Sequence, residues 1–291
     1  MRDGLLVAAS AVALSLFILP LATPATADPI GVVAAENFYG ELAEAIGGTH
    51  VAVSAILSNP DADPHLFEAS PSTARALADA DIVIANGADY DPWMEKMLSA
   101  SPRPNRTELV AADLTGHKSG DNPHLWYDPP TLPAVAKALA AALAKRDPAD
   151  AADFAANLQN FDASLQPVVE KIAAIKSAHA GIEVTATEPV FGYMAAALGF
   201  KMLNDSFQLA VMNDTEPSPS QVAGFEASLK SGEAKILFYN SQVTDDTTTR
   251  LLALAKASHV PVVGVTEMAP ADTTIPAWFS GQLDAVADAL K

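Results

Sequence analysis

Short apolar runs alternate with amphipathic stretches along most of the chain. The runs are of the kind buried on both faces of a parallel sheet. We predict strands at 30–35, 51–57, 81–87, 108–111, 181–187, 200–203, 236–239 and 260–265. Helices are predicted at 38–46, 73–80, 93–98, 132–144, 190–198, 221–230, 247–258 and 278–290. This alternation predicts an α/β protein with mostly parallel sheets.

One helical pattern, over 149–178, is much longer than the others. Its apolar residues recur at three- and four-residue steps, and Pro167 lies inside it. A proline within a helix should bend it or split it in two. Because the strand–helix alternation restarts after Gly181, we interpret the segment as a connector rather than a surface helix of a single domain. We therefore predict an N-terminal lobe (28–148), a connecting helix (149–179) and a C-terminal lobe (180–291).

The first 27 residues have the pattern of an export signal. Arg2 gives a basic start, 5–21 is apolar, and Ala25-Thr26-Ala27 is a small-x-small cleavage site. Pro20 and Pro24 interrupt the run where a membrane-spanning helix would continue. We expect a signal peptide over 1–27 and a mature periplasmic chain. The sequence has no cysteine, which excludes disulfides, thiolate ligands and a lipid-modified cysteine, so we expect no lipid anchor.

The net charge of the chain limits the classes of ligand that it is suited to bind. The chain carries 17 basic against 35 acidic residues, a formal charge of −18. Such a chain is poorly suited to nucleic acid or to anionic membranes, and it weakly favours cations.

Two loops present a histidine directly after a proline. His65 lies in the loop 59–72, after one predicted strand, and His124 lies in the loop 121–130. Pro64 fixes its own φ and pushes the residue before it out of the helical region, so His65 sits on a stiff turn. Alone, either loop is an ordinary connection with an exposed histidine. Since ligands of open α/β sheets bind where loops leave the carboxyl ends of strands, both imidazoles could face one cleft.

Two carboxylates follow strands in the second half. Glu188 comes after the strand 181–187, and Glu267 comes after the strand 260–265. Two imidazoles and two carboxylates suit a divalent first-row metal. Spacing alone does not show that His65 and His124 meet in space.

The remaining candidates receive structural roles. Asp61, Asp63 and Asp128 are interpreted as turn formers that orient imidazoles. We interpret Trp126, Tyr127 and Phe191 as packing around the site. His50 is expected in a loop. His117 is expected in a solvated loop, with a part in capturing the ion as the alternative. His179 and His259 are expected at helix ends.

In their order, these motifs resemble a known family. The pieces are Asp63-Pro64-His65-Leu66-Phe67-Glu68, Asn122-Pro123-His124-Leu125-Trp126-Tyr127-Asp128-Pro129 and Glu188-Pro189-Val190-Phe191-Gly192-Tyr193. The chain resembles the periplasmic zinc- and manganese-binding solute receptors of bacterial ABC importers, a family that includes the metal-binding lipoprotein adhesins.

The resemblance implies a C-clamp of two βα lobes with the ion in the cleft between them. His65 and His124 match the family's two histidine ligands. Glu188 falls where members carry histidine or glutamate, and Glu267 falls where they usually carry aspartate. The histidine-rich loop of many zinc-specific members is missing, since 114–121 holds only His117. The implied role is a receptor, not an enzyme, that delivers Zn²⁺ or Mn²⁺ to a membrane permease. We expect it to act as a monomer.

The identity of the ion stays open at this point. Two carboxylates can raise the coordination number, which favours manganese or ferrous iron, but zinc binds such sites more tightly in the intrinsic order. We expect zinc to be the ion found bound in practice.

Two other classes of protein are alternatives. An exported metallohydrolase could use the same residues, but the chain has no His-Glu-x-x-His or Gly-x-Ser-x-Gly motif. A receptor for a metal chelate would need a wide cleft lined by aromatic residues and arginines.

Overall fold

Each half of the chain builds a four-stranded parallel sheet with the same strand order. The computed structural model describes residues 28–60, 67–213, 215–242 and 246–291. The first sheet, in order β2-β1-β3-β4, contains β1 (Ile30–Glu36), β2 (Val51–Leu57), β3 (Ile82–Ala85) and β4 (Thr107–Val110). The second, in order β6-β5-β7-β8, contains β5 (Glu183–Ala186), β6 (Lys201–Leu203), β7 (Leu237–Asn240) and β8 (Val262–Val265). The predicted α/β class with two parallel sheets is confirmed.

Helices connect the strands and cover the sheets. In the first half they are α1 (Asn37–Gly47), α2 (Pro71–Asp79), α3 (Pro92–Ala100), α4 (Ala111–Thr115) and α5 (Thr131–Arg146). The middle of the chain forms α6 (Ala151–Ser164) and α7 (Gln166–His179). The second half contains α8 (Gly192–Ala197), α9 (Asp205–Met212), α10 (Pro219–Lys230), α11 (Asp246–Ala257) and α12 (Ile275–Ala289). Within the described ranges, no helix combines the length and the apolar character needed to cross a bilayer.

The connecting segment is a long helix interrupted once. α6 ends at Ser164 and α7 begins at Gln166, so Pro167 lies in the first turn of α7, where a missing N–H costs no helical hydrogen bond. α6 packs against α1 and α5 of the first half, whereas α7 packs against α12 of the second. This packing is what a connector requires. The lobe boundaries at 148/149 and 179/180 stay a prediction.

Aromatic side chains join the two halves beneath the carboxyl ends of the strands. Phe38 and Trp278 lie 6.0 Å apart between ring centroids, and Tyr127 contacts Phe191 at 5.1 Å and Phe279 at 5.5 Å. These residues belong to one buried cluster with members from both sheets. The strand ends of the two sheets are therefore held close together by a shared apolar layer.

Local structure differs from the sequence prediction at three places. The helices α4 and α9 were not predicted, because one to two turns are too short for a visible apolar period. Helix 190–198 starts instead as a 3₁₀ turn at Pro189–Phe191. Asn37 links the start of α1 to the second half of the chain. It is the first helical residue, and its side chain bonds both backbone groups of Ala269, at 2.8 and 3.1 Å.

The turn after β3 requires glycine. Gly87 has φ +75°, and an added Cβ would lie 2.7 Å from Cγ1 of Val110. Gly116 has φ +80° but no atom within 4 Å of its Cβ position. We expect Gly116→Ala to lower the free energy of unfolding by about 1–2 kcal/mol, the cost of a left-handed backbone. Gly87→Ala should cost roughly 1–3 kcal/mol more because of the overlap. Denaturant unfolding of both variants measures the difference, and equal losses would contradict this packing.

Candidate metal centre

Polar side chains collect where the two sheets end, and they are buried. Glu36 ends β1, Glu188 follows β5, Asn240 ends β7 and Glu267 follows β8. Each is at most 4% exposed. The carboxyl ends of parallel strands form the usual ligand edge of such sheets.

His124 is oriented with one ring nitrogen satisfied and the other not. Its Nδ1 lies 2.7 Å from Oδ1 of Asn122, which also accepts the backbone N–H of His124. The amide of Asn122 is fixed because its Nδ2 donates to the carbonyl of Pro189 at 2.8 Å. Nδ1 therefore carries a proton, and in the neutral imidazole Nε2 is the atom that offers a lone pair. Nε2 is buried and has no hydrogen-bond partner among the described residues. A lone pair held in this way is what a metal ligand requires.

Glu267 faces that lone pair. Its Oε2 lies 3.6 Å from Nε2 of His124. Metal–ligand distances for zinc place two donors of a tetrahedral ion roughly 3.4 Å apart. The observed separation is thus close to the edge of a tetrahedral site. The hydroxyl of Tyr90 donates to the same oxygen at 2.9 Å, and burial, reinforced by the charge of Glu267, raises the pKa of Tyr90 well above its usual value.

Asn240 links Glu267 to Glu188. Its Nδ2 donates to Oε2 of Glu188 at 2.6 Å and to Oε1 of Glu267 at 2.7 Å. Its Oδ1 accepts the backbone N–H of Gln242, which fixes the amide orientation. One buried amide therefore places two carboxylates beside each other.

Three of the four predicted ligands come together in this way: His124, Glu188 and Glu267. His65 lies outside the described residues, as do Asp61 and Asp63. The last described residue before that segment is Pro60, whose carbonyl accepts from the side chain of Gln242. The oxygen of the Gln242 side chain accepts the backbone N–H of Glu267.

Aromatic side chains surround His124. Trp126, Tyr127 and Phe191 are at most 1% exposed. The rings of Tyr90 and Trp126 both meet the imidazole of His124 edge to face, with centroids 5.9 and 5.4 Å away. Tyr127 reaches across to the second half, since its hydroxyl donates to the carbonyl of Thr266 at 2.8 Å.

Asp128 lies beside an imidazole, but it is the imidazole of His117 and not that of His124. Asn122 orients His124, whereas Asp128 lies beside His117, with Oδ2 3.4 Å from Nε2. His117 lies in a loop, where its side chain is 19% exposed and contacts the hydroxyl of Tyr193.

His50 is part of a separate surface cluster. Its two ring nitrogens face Asp150 at 2.9 Å and Asp153 at 3.4 Å. The three side chains are close enough to hold an ion. Each ring nitrogen faces a different carboxylate, which is the arrangement of an ion pair.

Sequence reasoning missed Glu36, Asn122 and Asn240. Both carboxylate oxygens of Glu36 are buried and lack a hydrogen-bond partner among the described residues. Burial, together with the nearby charge of Asp91, raises the pKa of Glu36 well above its usual range. The signal available in the sequence was that Glu36 is a charged residue directly after the apolar run 30–35. The two asparagines gave none, because polar amides are common at strand ends and in loops.

The structure has two parallel βα lobes joined by a long interrupted helix. An imidazole and several carboxylates lie between the strand ends of the two lobes. These are the features of a two-lobed solute-binding protein. The model of the family described as "Zinc-uptake complex component A periplasmic" matches residues 32–289. The chain belongs to this family.

Individual relatives have names that record different metals. The chain is 25% identical over 279 residues to the manganese-binding lipoprotein MntA of Bacillus subtilis, covering 89% of each chain. It is 23% identical over 266 residues to the iron-binding protein YfeA of Yersinia pestis, covering 88% of this chain and 83% of the relative. The structure of the periplasmic zinc-binding protein TroA from Treponema pallidum has a TM-score of 0.76 at 19% identity, covering 91% of this chain and 99% of that one. The last comparison confirms the fold.

The buried carboxyl of Glu36 predicts a pH-dependent stability. A raised folded-state pKa means that the stability contributed by this group is lost as pH rises from about 4.3, the unfolded value, through the folded pKa. Glu36→Gln removes the titration. We expect the metal-free variant to melt at least about 2 °C above the wild type at pH 8 and to lose that advantage near pH 4.

Thermal melts of the metal-free proteins across this pH range measure the effect. Glu233→Gln, at an exposed position, is the matched control and should not shift the melting temperature. An advantage of Glu36→Gln that does not grow with pH would show that the carboxyl is not held in an unfavourable environment.

Proposed function

We propose that this protein captures one divalent transition metal ion between its lobes and delivers it to the membrane permease of an ABC importer. One observation carries the proposal. The buried Nε2 of His124 has no hydrogen-bond partner among the described residues and faces a carboxylate oxygen of Glu267 at 3.6 Å. An imidazole fixed through its other nitrogen and aimed at a carboxylate is the arrangement of a metal ligand.

The proposed ligands are His65, His124, Glu188 and Glu267. Asn240 supports the inclusion of Glu188, because it holds that carboxylate beside Glu267. The donor set of two nitrogens and two oxygens suits zinc, and also manganese or iron, the metals that the names of relatives record.

A receptor fits this site better than an enzyme. Catalytic zinc keeps one coordination position open for water or substrate, whereas four protein donors complete a tetrahedral shell. The described donors are also fully buried, which restricts the access that a substrate would need.

The export pattern of 1–27 and the absence of cysteine in the sequence support a free periplasmic protein with a mature start near Asp28. We further propose that the receptor acts as a monomer. The mass of the mature protein measures the cleavage site and any attached lipid.

Metal binding tests the function directly. The mature protein, stripped of metal, should bind close to one equivalent of zinc or manganese tightly. His124→Ala should weaken binding by more than about 100-fold, beyond the range for residues that only orient a ligand. Competition titrations with a chromophoric chelator measure both. His50→Ala, in the surface cluster, should bind like the wild type.

His124→Gln serves as a second variant if removal of the ring disturbs the buried site. Circular dichroism and the thermal midpoint of each metal-free variant establish that it is folded. Absence of tight, near-equimolar binding by the wild type would overturn the proposal, as would normal binding by both His124 variants.

Glu267 has its own test, since family members usually carry aspartate there. Glu267→Gln keeps the size of the side chain but removes the charge, and it should weaken zinc binding by at least about 10-fold. Glu267→Asp keeps the carboxylate and should retain most of the affinity. Isothermal titration of the two variants distinguishes a ligand from a packing residue. If the glutamine variant binds zinc as tightly as the wild type, Glu267 is not a ligand.

A further inference from the structure

We propose that Asn37 is a positioning residue for ion capture: from the first half of the chain it holds the loop 266–274 of the second half and thereby places Glu267 opposite His124. This loop joins β8 to α12. The inference rests on the proposed function, in which Glu267 is a ligand of the ion. Asn37 acts through Glu267 and is not itself a ligand.

The backbone of this loop is buried around Glu267. Glu267, Met268 and Ala269 are at most 4% exposed. No backbone–backbone hydrogen bond joins residues 267–273 to any other described residue. Because buried peptide groups are normally paired, side chains from other segments must hold this backbone in place.

Gln242 sets the conformation of the loop at Glu267. Its Oε1 accepts the backbone N–H groups of Glu267 and Met268. Because each peptide group is planar, these two bonds fix the peptide planes on both sides of Glu267. The Nε2 of Gln242 donates to the carbonyl of Pro60.

Asn37 attaches the backbone of the loop to the first half by two hydrogen bonds. Its Nδ2 donates to the carbonyl of Ala269 at 2.8 Å, and its Oδ1 accepts the N–H of the same residue at 3.1 Å. These bonds fix the next two peptide planes along the loop. Asn37 directly follows β1, a central strand of the first sheet, so the loop is anchored to the framework of the first half.

The same helix, α1, holds the far end of the loop. Glu41 accepts the backbone N–H of Ile275 at 2.8 Å. Ile275 is the first residue of α12, and the first N–H groups of a helix have no partner within it. Asn37 and Glu41 are four residues apart and therefore lie on one face of α1. That face holds the loop at Ala269 and at Ile275.

These attachments govern the separation of two proposed ligands from opposite halves. Nε2 of His124 and Oε2 of Glu267 lie 3.6 Å apart, and metal–ligand distances tolerate changes of only about 0.2 Å. Tyr90 steadies the carboxylate of Glu267 by donating to it, whereas Asn37 steadies the backbone that carries it. Without Asn37 the backbone at Ala269 would lose two bonds to the first half, and Glu267 would be less well placed to bind the ion.

A double-mutant cycle tests whether Asn37 acts through Glu267. Zinc affinity is measured by chelator competition for the wild type, Asn37→Ala, Glu267→Gln and the double variant. Two substitutions that act on one interaction have non-additive effects, whereas independent ones add. Asn157→Ala, alone and with Glu267→Gln, is the matched control. Asn157 is also half-buried, and its Nδ2 donates to a backbone carbonyl, that of Ile46 at 3.0 Å, away from the loop.

We expect Asn37→Ala to weaken zinc binding by about 10-fold or more when Glu267 is present. In the Glu267→Gln background the same change should cost no more than about 2-fold. Asn157→Ala should leave the affinity unchanged in both backgrounds. Circular dichroism and the thermal midpoint establish that each metal-free variant is folded. Asn37→Ser, with a side chain too short to make both bonds, replaces Asn37→Ala if that variant does not fold, and the same pattern is expected of it.

Two results with Asn37 would overturn the inference. An equal loss of affinity in both backgrounds would show a general structural role, and no loss in the presence of Glu267 would show no role. A Glu267→Gln variant that binds zinc as tightly as the wild type would also overturn it, since Asn37 would have no ligand to act through. All three results leave ion capture intact, whereas a wild type that binds no ion tightly overturns the proposed function itself.

Discussion

The burial of several carboxylates at one place is the constraint on which this structure depends. Glu36, Asp91, Glu188 and Glu267 are all buried. Arg106, whose side chain is also buried, pairs instead with Glu108. Removing charge from water is costly unless donors or a counter-ion replace the solvent. Hydrogen-bond donors replace the solvent in part. Asp91 accepts two backbone N–H groups of the turn at Gly87, both at 2.7 Å. Asn240 donates to Glu188 and to Glu267, and Tyr90 donates to Glu267. Glu36 has no such donor among the described residues. A bound cation would offset the remaining cost, so ion binding should stabilise the fold that creates the site.

The groups that orient the proposed ligands also join the two halves. Tyr90 of the first half donates to Glu267 of the second, and Asn122, which fixes His124, donates to the carbonyl of Pro189. Tyr127 donates to the carbonyl of Thr266, immediately before Glu267. Any separation of the halves would therefore break the bonds that aim the ligands. Because the same contacts close the cleft and orient its donors, the affinity for an ion and the closed arrangement should be coupled.

The sequence was informative about the helices and strands and about the residues at the ends of strands. Apolar runs located all eight strands of the two sheets, because a buried strand needs consecutive apolar residues. Pro167 marked the interruption of the long helix, because proline lacks the N–H that continues a helix. Glu188 and Glu267 were found for the same reason, since they follow recognisable strands. Asn122 and Asn240 could not be found, because an asparagine at such a position looks like an ordinary turn residue until its partners from distant segments are known. Glu36 was overlooked for a related reason. Its importance lies in being buried without a donor, and burial of a strand end depends on the opposite half of the molecule.

Ligand identity alone does not explain how such a site would select its ion. Two imidazoles and two carboxylates are acceptable donors for zinc, manganese and iron, and the intrinsic order of affinities favours zinc over the other two. Relatives in the comparisons have names that record each of these metals. Discrimination must then come from how the donors are held. In this chain one buried amide, that of Asn240, holds both carboxylates of the proposed site. The positions of the two carboxylates relative to each other are therefore set by a neutral residue, since both accept from the same amide.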